Sequence, residues 1–194
     1  MNRVLPCLAF VVFAACHGET PARTTEFFSL TSTSIDGSPF ALSSLISNRA
    51  SVLVFLAPDC PLSQRYTRTL DGLRAQFEGD GARFYGLIAG DYFERKEVED
   101  FVSQYRLNFT VLLDRNMELA NLFGATRTPE VFVVDSHGKT LYRGSIDNYA
   151  PDFGQYRRVI TENYLLEVLE MIAQGRDVPV KETQAVGCFI ERKG

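Results

Sequence analysis

SVLVFLAPDCPLSQRY, residues 51–66, joins three signals within sixteen residues. Ser51 to Leu56 is a nearly unbroken apolar run, the pattern of a strand buried on both faces of a parallel sheet. Pro61 fits the first position of a helix, which sets Cys60 at or beside its N-cap. The helix then shows apolar residues at Leu62, Tyr66, Leu70, Leu73 and Phe77, at helical spacing. A strand that runs into a helix through a cysteine brings that thiol to free backbone N–H groups and the positive end of the helix dipole. Both favour the thiolate. Asp59 opposes them, because a neighbouring carboxylate disfavours the charge. Ser63 offers a hydroxyl donor and Arg65 a positive charge one turn into the helix. The alternative is a buried, inert cysteine serving as a small apolar residue.

Outward from this stretch the chain alternates. Ala82 to Ala89 reads as a strand, and Asp91 with Glu94 as a capping-box-like start to a helix carrying Val98, Phe101, Val102 and Tyr105. Phe109 to Leu113 is a third strand, and Met117 to Phe123 a short helix closed by Gly124. Glu130 to Val134 and Thr140 to Arg143 form a hairpin across Ser136-His137-Gly138, and Val159 to Ile172 a final amphipathic helix stopped near Gly175. Upstream, Phe28 to Thr31 and Pro39 to Leu42 flank the turn Asp36-Gly37, and Ser43 to Ile46 opens a short helix. This order predicts an α/β sandwich around a mixed central sheet flanked by helices.

The 194 residues suffice for one domain with a sizeable core, and 45% hydrophobic with 23% charged residues is ordinary for a globular protein. A net charge of −4 argues against nucleic acid as a partner. The opening MNRVLPCLAFVVFAAC has a positive Arg3, an apolar stretch from Val4 to Ala15 too short to span a membrane, and small residues before Cys16. It resembles a bacterial lipoprotein signal, with Phe13 where an aliphatic residue is usual. That implies an exported protein, periplasmic or membrane-anchored, with Cys16 as the lipidated residue. Cleavage without lipidation is the alternative. The expected division is 1–16 signal, 17–25 polar tether, and 26–194 folded domain with a cysteine-bearing tail. An exported domain is free to form disulfides, and Cys60 and Cys188 are the cysteines left for it.

Thr128-Pro129 stands just before the strand Val131 to Val134, where a cis X–Pro bond at a sheet edge is a candidate; from its immediate sequence alone an ordinary trans turn proline is the commoner case. Taken with Cys60-Pro61 and the element order, it gives residues 26–175 a resemblance to the thioredoxin-like superfamily. The N-terminal hairpin and the extra helix and strand at 94–113 are similar to the redoxin branch, which contains the alkyl hydroperoxide reductase/thiol-specific antioxidant proteins. The resemblance implies that Cys60 is the attacking thiol, faced by Pro129 and Thr128. It also implies a thiol-dependent oxidoreductase with no cofactor. Its partners would be exported protein thiols and disulfides, or a peroxide, and a thiol reductant. Two departures matter. Asp59 and Ser63 stand where thioredoxins carry tryptophan and the second cysteine. Leu53 and Ala57 stand where peroxiredoxins carry proline and threonine or serine. Arg127 is either a substitute anion-stabilising group or an exposed, solvated arginine.

Ser63 forms no disulfide, so the candidate resolving thiol is Cys188, in a segment with apolar Val186, Phe189 and Ile190 and with Gly187 to allow close backbone approach. A structural staple, or a tail that never meets Cys60, remains the alternative. Thiol–disulfide exchange, peroxide reduction and a non-enzymatic metal module using Cys60, Cys188 and His137 are the functions compared. The last ranks third because the cysteines are far apart in sequence.

Overall fold

The computed structural model describes residues 26–179 and 181–192. Cys16 and the signal-like segment lie outside them. The domain is a mixed sheet with helices on both faces, as the element order predicts. Strands β1 (Thr31–Ser34), β2 (Pro39–Ala41), β3 (Ala50–Phe55), β4 (Ala82–Ala89), β5 (Thr110–Asp114), β7 (Glu130–Asp135), β8 (Thr140–Gly144) and β9 (Lys181–Glu182) form one eight-stranded sheet. Its order is β2-β1-β5-β4-β3-β7-β8-β9. A separate two-stranded piece pairs β6 (Arg127–Thr128) with β10 (Cys188–Phe189). The helices are α1 (Pro61–Phe77), α2 (Arg95–Tyr105), α3 (Glu118–Phe123) and α4 (Tyr164–Ala173).

Strand β3 sits at the centre, parallel to β4 and antiparallel to β7. Its side chains alternate between two cores. Val52 and Val54 face α1, α2 and α4, where Leu70, Val98 and Leu165 meet them. Leu53 and Phe55 face α3 and the 3-10 turn Leu42–Ser47. Every residue of β3 is buried, which is why its sequence shows no polar alternation.

Three boundaries differ from expectation. The first strand begins at Thr31, because residues 26–29 form a helical turn that buries Phe27. The α2 cap is Glu94 with Glu97, each bonding the other's backbone, one residue triplet beyond the expected Asp91 with Glu94. The final helix starts at Tyr164. Val159 is 69% exposed, and the Asn148 side chain takes the Thr161 N–H at 3.1 Å while donating to the Thr161 hydroxyl at 2.8 Å. Tied to Asn148 and rich in β-branched residues, 159–163 stays out of the helix. No helix among the described residues is long and apolar enough to cross a membrane.

Candidate active site

Cys60 is the N-cap of α1 and Pro61 its first residue. The chain turns from β3 into α1 through a bond from the Cys60 N–H to the Ala57 carbonyl at 3.1 Å. Cys60 is fully buried, at 0% exposure, and so is Ser63. The Ser63 hydroxyl accepts the Ala57 N–H at 3.2 Å, so it is part of the turn and does not face water.

The Thr128–Pro129 bond is cis. The Thr128 carbonyl accepts the Cys60 thiol at 3.0 Å, so the turn lies directly against the sulfur. Glu130, only 3% exposed, shapes that turn: one carboxylate oxygen accepts the N–H groups of Thr126 at 2.8 Å and Arg127 at 3.2 Å. Its other oxygen takes Arg143 at 3.3 Å. A glutamate opening a strand reads from sequence as a solvated residue, and nothing local signals this role. The Thr128 hydroxyl is buried with no hydrogen-bond partner.

The tail returns to this turn. Antiparallel pairing sets Cys188 opposite Thr128 and Phe189 opposite Arg127. The strap is fastened along its length. The Ser145 hydroxyl donates to the Gln184 carbonyl at 2.8 Å, Arg127 to the Gly187 carbonyl at 3.4 Å, and Ile190 N–H to the Thr126 carbonyl at 3.0 Å. Arg192 donates to the Ala125 carbonyl at 2.8 Å. A Cβ on Gly187 would stand 2.0 Å from the Thr128 oxygen, so the strap lies this close only because residue 187 has no side chain.

Both cysteines are free thiols, and they titrate apart. Burial pushes the Cys60 thiol up. Hydrogen bonds from the Cys188 thiol, the Ser63 N–H, the Cys188 N–H and the Ser63 hydroxyl outweigh it and hold Cys60 below its ordinary value. As a thiol Cys60 donates to Thr128; as a thiolate it accepts from Cys188 and Ser63 instead. Cys188 moves the other way, up to about 12, through burial first, then its bond to Cys60, the Cys60 charge and the Asp59 carboxylate. The Asp59 charge is thus felt at Cys188.

Two arginines sit elsewhere than a thiolate partner would. Arg65 lies over the Tyr149 ring, 3.7 Å from its centroid. Arg127 stacks on Phe189 at 3.4 Å and opposes the rise at Cys188. His137 lies in the β7–β8 turn with Asp135, at the end of β7 away from Cys60. It does not join the cysteines, and among the described residues no group of three or more His, Cys, Asp or Glu could hold a metal. A groove of about 500 Å³ opens beside the pair, lined by Leu56, Tyr92, Phe93, Cys188, Phe189 and Ile190, with Asp59 and Glu191 among its polar walls.

Known proteins resemble this chain in the same terms. The sequence profile of the AhpC/TSA family matches residues 21–143. An uncharacterized conserved protein from Geobacillus kaustophilus is 25% identical, with a TM-score of 0.75 over 84% of this chain and 88% of that one. A hypothetical protein from Sinorhizobium meliloti is 22% identical, with a TM-score of 0.72 over 83% and 89%. DsbF of Mycobacterium tuberculosis, solved in its mixed oxidized and reduced forms, is 28% identical, with a TM-score of 0.53 over 59% and 83%. No curated protein matches the chain.

Proposed function

The chain belongs to the AhpC/TSA family, and from that premise we propose that it is a thiol–disulfide oxidoreductase in which Cys60 is the reacting thiol and Cys188 resolves it. The observation that carries this reading is the β6–β10 pairing, which lays Cys188 on the Thr128 turn against Cys60. The opposed shifts of the two thiols fit the roles. The ionised thiol attacks a disulfide sulfur, and the protonated one waits to close the bridge. Its substrates are exported protein thiols and disulfides, and a thiol reductant returns it to the dithiol. Tethering through Cys16 would keep it at the membrane. Ala57, which offers no hydroxyl three residues before Cys60, is why exchange ranks above peroxide reduction. The burial of Cys60 beneath the strap, which suits a small oxidant better than a bulky one, is the observation that supports peroxide reduction as the second reading.

Oxidation of the purified protein with either a small disulfide or hydrogen peroxide, digestion and mass spectrometry test the pair. A Cys60–Cys188 cross-linked peptide is the expected product, and it reopens with a thioredoxin-type reductant. Its absence under both oxidants overturns the reading. Peroxide consumption at a rate matching bridge formation moves the assignment to peroxide reduction.

A further inference from the structure

Seven large apolar side chains stay exposed among the described residues, and four of them, Phe153, Tyr156, Val159 and Ile160, fall within eight positions of the loop that joins β8 to α4. The base of this loop is fixed by buried groups. The Tyr66 hydroxyl of α1 donates to the Asp147 carboxylate, which also accepts the Tyr149 N–H at 2.8 Å. Asn148 holds Thr161 through its side chain, and its N–H donates to the Glu162 carbonyl at 3.1 Å. The Arg157 N–H donates to the Tyr149 carbonyl at 2.8 Å, and the Tyr156 ring stacks on Tyr149.

Beyond these ties the chain makes a tight turn. Asp152 accepts the Phe153 N–H through its carboxylate and the Gln155 N–H through its carbonyl, and Gly154 supplies the left-handed φ of 76°. Residues 151–163 are all exposed, and Phe153 at the turn is 73% so. The turn points outward, since a Cβ on Gly154 would meet no atom within 4 Å. The loop is therefore anchored at its base and holds apolar side chains in water at its tip. A cluster of this kind on a folded surface marks a contact site.

We propose that residues 151–160 dock on an anionic lipid surface. The charges in this stretch are Arg157, Arg158 and Asp152, so the loop is net positive on a chain of net charge −4. Arg65 of α1, also exposed, lies over Tyr149 and adds a third cation at the base. Aromatic and branched side chains beside arginines suit the boundary of a bilayer, where the rings enter the headgroup region and the guanidinium groups meet phosphates. An outward turn also suits a deformable surface better than a shaped pocket. The length of chain before the domain agrees with this. Residues 17–25 reach at most about 30 Å when extended, so an anchor at Cys16 keeps the domain near the surface without fixing which face it turns. The loop fixes the face. It leaves the sheet beside the Val131–Gly144 pair, next to the Phe55–Glu130 pair that precedes Cys60, so docking sets the Cys60 end of the sheet near the lipid. The proposal does not depend on a bridge between the two cysteines.

The chain has no tryptophan, so Phe153→Trp places a single reporter at the turn. Ile46→Trp places one on the opposite face of the sheet, where Ile46 is 52% exposed and where Phe27, the first core residue after the tether, packs with Leu42 and Leu45. The anchor alone would favour that face. Each full chain is mixed with vesicles of brominated phosphatidylglycerol and phosphatidylethanolamine, and its emission is read. The reporter at 153 should shift to shorter wavelength and be quenched, while that at 46 stays as in buffer. Replacing both Arg157 and Arg158 by Gln in the Phe153→Trp chain should lower the docked-to-undocked ratio about fivefold for each charge removed. Brominated phosphatidylcholine in place of the anionic lipid should reverse the shift. Emission at 153 that vesicles leave unchanged overturns the proposal, and so does equal quenching at 153 and 46. A shift at 153 that appears without vesicles and grows with protein concentration also overturns it, because a second copy of the chain then covers the loop.

Discussion

At the scale of residues, the site is a contest between burial and hydrogen bonds over one sulfur. A cysteine sealed from water should be a weak acid. Cys60 is sealed and is nevertheless held below its ordinary value, because donors from Ser63 and Cys188 converge on it. Ser63 contributes twice, through its N–H at the start of α1 and through its hydroxyl. Serine at the position of a second cysteine is thus a working part of the turn. Ser63→Ala keeps the N–H and loses the hydroxyl, and one net hydrogen bond is worth about 1 kcal/mol, or about fivefold in an equilibrium. The ionisation constant of Cys60 should therefore fall about fivefold, read from thiolate ultraviolet absorbance as a function of pH. An unchanged titration would remove the hydroxyl from the account.

At the scale of elements, the strap is what turns a single buried thiol into a pair. It is two residues of β10 on two residues of β6, with bonds from Ser145, Arg127 and Arg192 on either side. Val186 and Ile190 pack half-buried against the two cores, and the close approach at Gly187 depends on fit. Gly187→Ala puts a methyl group within 2.0 Å of the Thr128 oxygen and 2.7 Å of its carbon, both backbone atoms that cannot swing aside. The strap must lift, taking Cys188 from Cys60. Bridge formation under a fixed oxidant should slow at least tenfold, measured by thiol counting over time, while the two cores behind β3 keep the domain folded by circular dichroism. Bridge formation at the wild-type rate would mean that Cys188 reaches Cys60 without the β6–β10 pairing.

At the scale of the whole molecule, the sequence disclosed what periodicity can carry and hid what distant parts supply to one another. The continuous run at β3, the apolar spine of α1 and the Gly124 stop of α3 are local patterns, and they appear within a residue or so of where sequence puts them. The start of α4 is not local, because Asn148 holds Thr161 from 13 residues upstream. Cys60 stands out by its neighbours and Thr128-Pro129 by the order of elements around it, but Glu130 does not stand out, and Arg65 finds Tyr149 because the loop after β8 folds over α1. The coupling of the two cysteines is likewise global, and it gives the reduced protein a pH signature. Cys60 is depressed in the folded state, so the fold binds fewer protons there than the unfolded chain between its lowered value and 9.0. Stability from this group rises with pH across that window and is lost as pH falls through it. Cys188 is raised to about 12, so between 9.0 and about 12 the unfolded chain ionises first and stability falls. The difference in urea midpoint between reduced wild type and Cys188→Ser should shrink toward alkaline pH, because the variant lacks the second, falling arm. Against Cys60→Ser the wild type should gain as pH approaches 9.0 from below. A difference that stays flat with pH for both variants would mean that the thiols do not exchange charge in the folded protein, and the assignment of attacker and resolver would lose its electrostatic basis.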